Sequence, residues 1–227
     1  MPRSSLLVRA QVVKHWHRGV LIAGLALLMF ASAGLAMRYR ATHNPNPLPP
    51  NIASVAPGVR PDETPIVPGS EAGIKYKTAP NDPRVIWLPS LNASGFIQKV
   101  GLDGHGAVGV PTNISMAGWY SLETRPGDPG VSLIDGHVQG KYSPGVFKNL
   151  SKLKAGDSFS IEFGDASIRN FQVVSVTSYS TNEVAKHMLA KQPGVARQLN
   201  LITCDGRYNS KTRQYENRVL VVSKRVD

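Results

Sequence analysis

The chain has 227 residues, a formal net charge of +11, 17 prolines and one cysteine, enough for one medium domain with accessory segments. A lone Cys excludes a disulfide framework, and the scattered His, Asp and Glu show no zinc-type spacing, so neither a metal nor a cofactor is expected. The basic excess is uneven: residues 1–40 hold six basic residues and no acid, residues 41–80 balance, and +5 remains over 81–227. With no Lys/Arg run interleaved with aromatics, a nucleic-acid partner is not expected.

Residues 1–18 are basic (Arg3, Arg9, Lys14, Arg18) and precede nineteen uncharged residues, 19–37, with Arg38 and Arg40 behind them. That length of unbroken apolar chain predicts a membrane-spanning helix, and the heavier basic load before it predicts a cytoplasmic N-terminus and an extracytoplasmic remainder. Ala31-Ser32-Ala33 leaves open a cleaved signal peptide, whose apolar stretch is usually shorter. Residues 38–80 carry nine prolines (Pro45 to Pro80) and few large apolar side chains, and read as an extended, semi-rigid linker.

From residue 81 the texture changes to short β-type runs bounded by turn residues: Val85–Leu88, Gly95–Val100, Val131–Ile134, Ser158–Phe163, Phe171–Val176, Leu199–Cys204 and Val219–Val222. Alternation places Phe159, Ile161 and Phe163 on one face, and Phe171, Val173 and Ser175 on another. Helices are expected at Thr181–Lys191, with Asn182 as its cap, and at Val146–Leu153. Seven or eight strands with little helix over residues 81–227 predict one all-β domain, a barrel or a sandwich.

Cys204 ends its strand, and an unpaired thiol in an exported chain reads as either a reactive group or a small buried hydrophobe. His137, in Asp135-Gly136-His137-Val138, stands at or just past a strand end; the other five histidines fall before or within the linker, in a turn, or in the expected helix. The polar stretch Asp205–Arg213 reads as a hairpin connection, which would bring Arg218, at the start of the next strand, beside Cys204. A guanidinium or imidazolium beside a thiol favours the nucleophilic thiolate.

Leu201-Ile202-Thr203-Cys204, with Arg218 fourteen positions on and Gly136-His137 upstream, resembles the sortases, cysteine transpeptidases of Gram-positive-type envelopes. The resemblance spans nearly all of 81–227, through Trp119-Tyr120, Arg125–Gly130, Pro144–Phe147, Leu150, Leu153 and Gly156-Asp157, and is nearest the class F-type (actinobacterial-type) enzymes. It implies a closed sortase-type barrel with one or two short helices, Cys204 as nucleophile, His137 as acid/base and Arg218 as the oxyanion-stabilising residue. It also implies that Ile202 and Thr203 bind substrate. The implied reaction cleaves a Leu-Pro-x-Thr-Gly-like sorting signal of a surface protein or pilin between Thr and Gly. A Cys thioester then passes to an amine, such as a peptidoglycan precursor, or to water. Asn200 stands where the signature has Thr, a change expected to alter packing more than chemistry; Arg213 and then Arg207 are the fallbacks for Arg218. Two other readings are an L,D-transpeptidase, whose Ser-His-Gly motif is missing here, and a non-catalytic anchored β-domain that binds an envelope polymer or pilus subunit.

Overall fold

The computed structural model describes residues 60–70 and 76–227. The basic stretch 1–18, the expected span 19–37 and most of the linker lie outside the described residues. Among those described, no helix is long and apolar enough to cross a membrane.

Eight strands close into a barrel: β1 (Pro83–Leu88), β2 (Ala93–Val100), β3 (Ala117–Tyr120), β4 (Gly130–Gly136), β5 (Ser158–Phe163), β6 (Ile168–Ser180), β7 (Arg197–Asn209) and β8 (Gln214–Arg225). Around the barrel the order is β1-β2-β3-β4-β7-β8-β6-β5. The β2–β3 and β4–β7 pairs are parallel and the others antiparallel. Closure leaves no free sheet edge in the barrel wall.

Strand alternation divides the apolar residues into two layers. Inside the barrel, Ile86, Ile97, Trp119, Ile134, Phe159, Ile161, Phe163, Phe171, Leu199, Leu201, Val219 and Val221 form the main core, plugged by Phe147 and Leu150. Each such side chain contributes about 1.5–3 kcal/mol of burial. Outside, the wall β3-β4-β7-β8 carries Tyr120, Leu133, Ile202 and Leu220, and these are roofed by Val108, Val184 and Met188 from two long loops. The outer layer matters most for the site, because its row continues to Cys204.

Several expectations give way to tertiary contacts. Thr181–Lys191 is not a helix but a single 3-10 turn, Val184–Lys186, within a series of turns. Strand β7 takes two of that loop's carbonyls, Asn200 Nδ2 donating to Met188 O and Gln198 Nε2 to Ala190 O, which fixes the loop against the sheet instead of in a helical ladder. Residues 146–153 likewise form turns closed over three residues, with one 3-10 turn at Leu150–Lys152. Ser175 does not share a face with Phe171 and Val173: the register against β8 shifts between Val173 and Ser175, and this bulge turns Ser175 outward. β7 runs past Cys204 to Asn209, so the connection to β8 is shorter than Asp205–Arg213. β3, buried along its whole length, has no alternating polar face to announce it.

The described part of the expected linker packs on the barrel. Asp62 forms a parallel bridge with Asn113, Ile66 and Tyr76 pack against Val85, Phe96 and Met116, and Tyr76 Oη donates to Ile97 O at 2.6 Å.

Candidate active site

Along β7, Ile202 faces outward, and the pleat sends Cys204, two residues on, to the same side. On β8 the same argument from Leu220 places Arg218 outward. The two are partners across the antiparallel ladder, Cys204 opposite Arg218. The sequence alternatives separate clearly: Arg207 is exposed on the projecting part of β7, and Arg213 sits in the turn with φ 56°.

His137 arrives from the other side of β7. The parallel β4–β7 ladder pairs Asp135 with Ile202, and Thr203 Oγ1 donates to Gly136 O at 2.7 Å. Two residues beyond the last pair on each strand are His137 and Cys204, on the row that Leu133 and Asp135 begin. Three residues thus come to one end of one barrel face: an imidazole, a half-buried thiol and a guanidinium.

Each of the three is held. The His137 ring is mostly buried, with Nε2 2.8 Å from Pro111 O. A carbonyl only accepts, so that nitrogen carries the proton and Nδ1 is the free ring nitrogen of the neutral imidazole. Backbone support comes from a small hairpin that starts at His137: Gly145 N donates to Val138 O, Phe147 N to His137 O, and Gly140 N to Ser143 O. A Cβ on Gly145 would stand 2.0 Å from His137 O, so that position admits only glycine without displacing backbone. Arg218 is 2% exposed; Nη1 donates to Thr181 Oγ1, Tyr215 O and Asn217 O. Its Nε is buried with no partner.

Asp135 was not singled out as a site residue by sequence reasoning. It is 3% exposed, packs over Gly118 and leaves Oδ1 buried without a hydrogen bond. Burial holds its carboxyl well above the ordinary carboxylate range. Burial also lowers the His137 pKa, which the Pro111 carbonyl partly offsets. The Cys204 thiol is pushed up by burial, with Arg218 opposing the shift and Asp135 adding to it. At neutral pH the resting pair is therefore a thiol and a neutral imidazole, and the thiolate–imidazolium pair is a minor species.

Ile202 and Thr203, expected to bind substrate, present no side-chain surface here. Thr203 is 5% exposed and committed to Gly136 O, while Ile202 is fully covered by the outer apolar layer. Their role in this structure is to seat the strand that carries Cys204.

The Sortase domain family model matches residues 86–226 of the chain. A comparison with curated proteins gives no match. Among solved structures, sortase A from Corynebacterium diphtheriae matches with a TM-score of 0.53 at 21% identity, over 86% of this chain and 82% of that one. Sortase C of Streptococcus pneumoniae gives 0.53 at 19% identity, over 85% of each chain. The pilus-related sortase C of Group B Streptococcus gives 0.50 at 21% identity, over 70% of this chain and 73% of that one. Likeness at these identities shows a common fold.

Proposed function

This chain belongs to the sortase family of cysteine transpeptidases, and from that premise we propose that it is a membrane-anchored enzyme of class F type. It cleaves a Leu-Pro-x-Thr-Gly-like sorting signal between Thr and Gly and transfers the acyl group to an amine or to water. The observation that carries the reading is the register that sets Cys204 opposite Arg218 with the end of β4, and so His137, on its other side.

In the proposed reaction the Cys204 thiolate attacks the threonine carbonyl carbon, forming a C–S bond and a tetrahedral oxyanion. Arg218 stabilises that charge. Nη1 is occupied by three oxygens, so the unpartnered Nε–H is a donor left over for it. His137 gives its proton to the glycine nitrogen as the C–N bond breaks, leaving a thioester. It then takes a proton from the incoming amine, which displaces the thiolate. Because the thiol pKa is raised and the imidazole pKa lowered, activity should follow a bell-shaped pH profile between the two.

Residues 19–37 serve in this reading as the membrane anchor, with the catalytic domain outside. Sorting-signal-bearing surface proteins or pilins are the donors, and a peptidoglycan precursor or pilin amine is the acceptor. Pilus association belongs by name to the Group B Streptococcus relative. The test uses the full chain in lipid nanodiscs with a fluorogenic Leu-Pro-x-Thr-Gly peptide, with and without an amine, beside Cys204→Ala. Thr–Gly cleavage absent from the variant, with an amine adduct when amine is present, is the expected result. An intact peptide with folded wild-type protein sinks the reading.

A further inference from the structure

His137 is supported from two directions, and both supports lead to one short segment far upstream. Its ring rests on Pro111 O. The chain just after Pro111 is tied to residues 62–66: Asp62 N donates to Thr112 O (2.8 Å), Ile114 N to Asp62 O (3.0 Å), Asn113 Nδ2 to Thr64 O (2.8 Å), and Ile66 N to Ser115 Oγ (3.0 Å). Its backbone opens the hairpin whose tip is residues 140–143. There Glu63 takes three consecutive amides, Oε1 from Lys141 (2.7 Å) and Oε2 from Tyr142 and Ser143 (2.9 Å each). Partial desolvation works against the charged form, yet these bonds hold the Glu63 carboxyl below its ordinary range. The fit is close: a Cβ on Gly140 would lie 2.7 Å from Glu63 Cδ and 2.8 Å from Oε1.

We propose that Glu63 is a positioning residue for the transpeptidation reaction, clamping the hairpin that begins at His137 while its neighbours pin the Pro111 loop, so that the imidazole keeps one orientation and one tautomer. This rests on the reading of His137 as the acid/base. Proton delivery to a leaving amine needs the ring within hydrogen-bond reach, and displacement by about 1 Å costs up to about 10²-fold in rate. Asp62–Ile66 joins the two supports by four backbone groups and one carboxylate, a layout that fixes their separation. A carboxylate receiving three successive amides also forms stronger, charge-assisted bonds than a neutral acceptor would. Residues 62–66 therefore belong to the catalytic unit, although their composition is that of a linker.

The test uses the full chain in nanodiscs, as wild type, Glu63→Gln and Gly140→Ala. The first removes the charge; the second crowds the carboxylate from the opposite side and leaves its charge in place. Both variants should lose about tenfold to hundredfold in kcat with KM unchanged. The pH limb belonging to His137 should move, and its imidazole ¹⁵N shifts should pass from a single Nε2-protonated tautomer towards an average. Wild-type kcat with unchanged ¹⁵N shifts in both variants would overturn the proposal. So would unfolding of both below the assay temperature, which would make the segment part of the fold and nothing more. If the wild type itself leaves the peptide intact, the functional reading fails, and the ¹⁵N shifts still decide this inference: altered shifts in both variants support it, unaltered shifts overturn it.

Discussion

The two ends of the β4-β7-β8-β6 wall treat arginine in opposite ways. At the start of β7, Arg169, Arg197 and Arg225 converge on the turn before β4. Arg169 Nη1 donates to Pro126 O and pairs with Asp128 at 2.8 Å, and Arg197 and Arg225 both donate to Gly127 O. Arg225 also pairs with Asp227 at 2.6 Å. About seven residues along β7, some 23 Å at a strand's rise, Arg218 is almost fully buried with no carboxylate partner, and its Nε is unpaired. Asp135 Oδ1, nearby on the same face, is unpaired as well. One end is stapled with satisfied charges; the other leaves one buried donor and one buried acceptor unpaired. Buried orphan polar groups are destabilising by about 1–3 kcal/mol each, so the two on this wall are a stability cost that the stapled arginines do not carry.

Substitutions at the two ends test this contrast. The largest effect is expected for Arg218→Ala, which should lower kcat/KM by about 10²–10³. Arg218→Lys should recover little of it, since an ammonium lacks the planar fork. Recovery by Lys, measured by peptide cleavage, would break the oxyanion assignment. Gly145→Ala should come next. Its Cβ meets the His137 carbonyl, so a loss of about 1–3 kcal/mol is expected, read as a melting temperature several degrees lower; an unchanged melt would mean the hairpin yields freely.

Asp135→Asn should show itself in pH dependence. A folded-state pKa raised above the unfolded value gives stability that is full below the unfolded pKa, near 3.9, and is lost as pH rises through the raised value. The asparagine variant should therefore gain on the wild type from about pH 4 upward. Parallel stability curves would show that Asp135 is not held protonated. The smallest effect belongs to the stapled end. Arg169→Ala loses a partly exposed pair worth about 1 kcal/mol or less, sensitive to salt and without effect on cleavage. A loss of activity there would erase the distinction between the ends.

How much of this was legible in the sequence depends on how local each cause is. The strand faces of Phe159, Ile161 and Phe163 follow from alternation, and the neighbouring of Cys204 and Arg218 follows from apolar runs and one turn, although both residues lie inside their strands, not at an end or a start. Local pattern could not reveal the bulge that turns Ser175 outward, nor the Gln198 and Asn200 amides that replace a helix at 181–191 with a docked loop. Asn200, the departure from the sortase signature, shows its effect in that packing. Glu63 was hidden most deeply: proline-rich composition describes Asp62–Ile66 well, and most of what ties it to the barrel is backbone amides and carbonyls, which carry no residue signature.

The parallel pairing of β4 with β7 has a kinetic consequence. Gly136 and Thr203 lie 67 positions apart, yet His137 and Cys204 become neighbours only through that ladder. Closing so long a loop has an entropic cost, and pairings this distant in sequence slow folding. A newly made chain therefore carries Cys204 apart from His137, and the thiol and the imidazole come to one end of the sheet only when the barrel has closed.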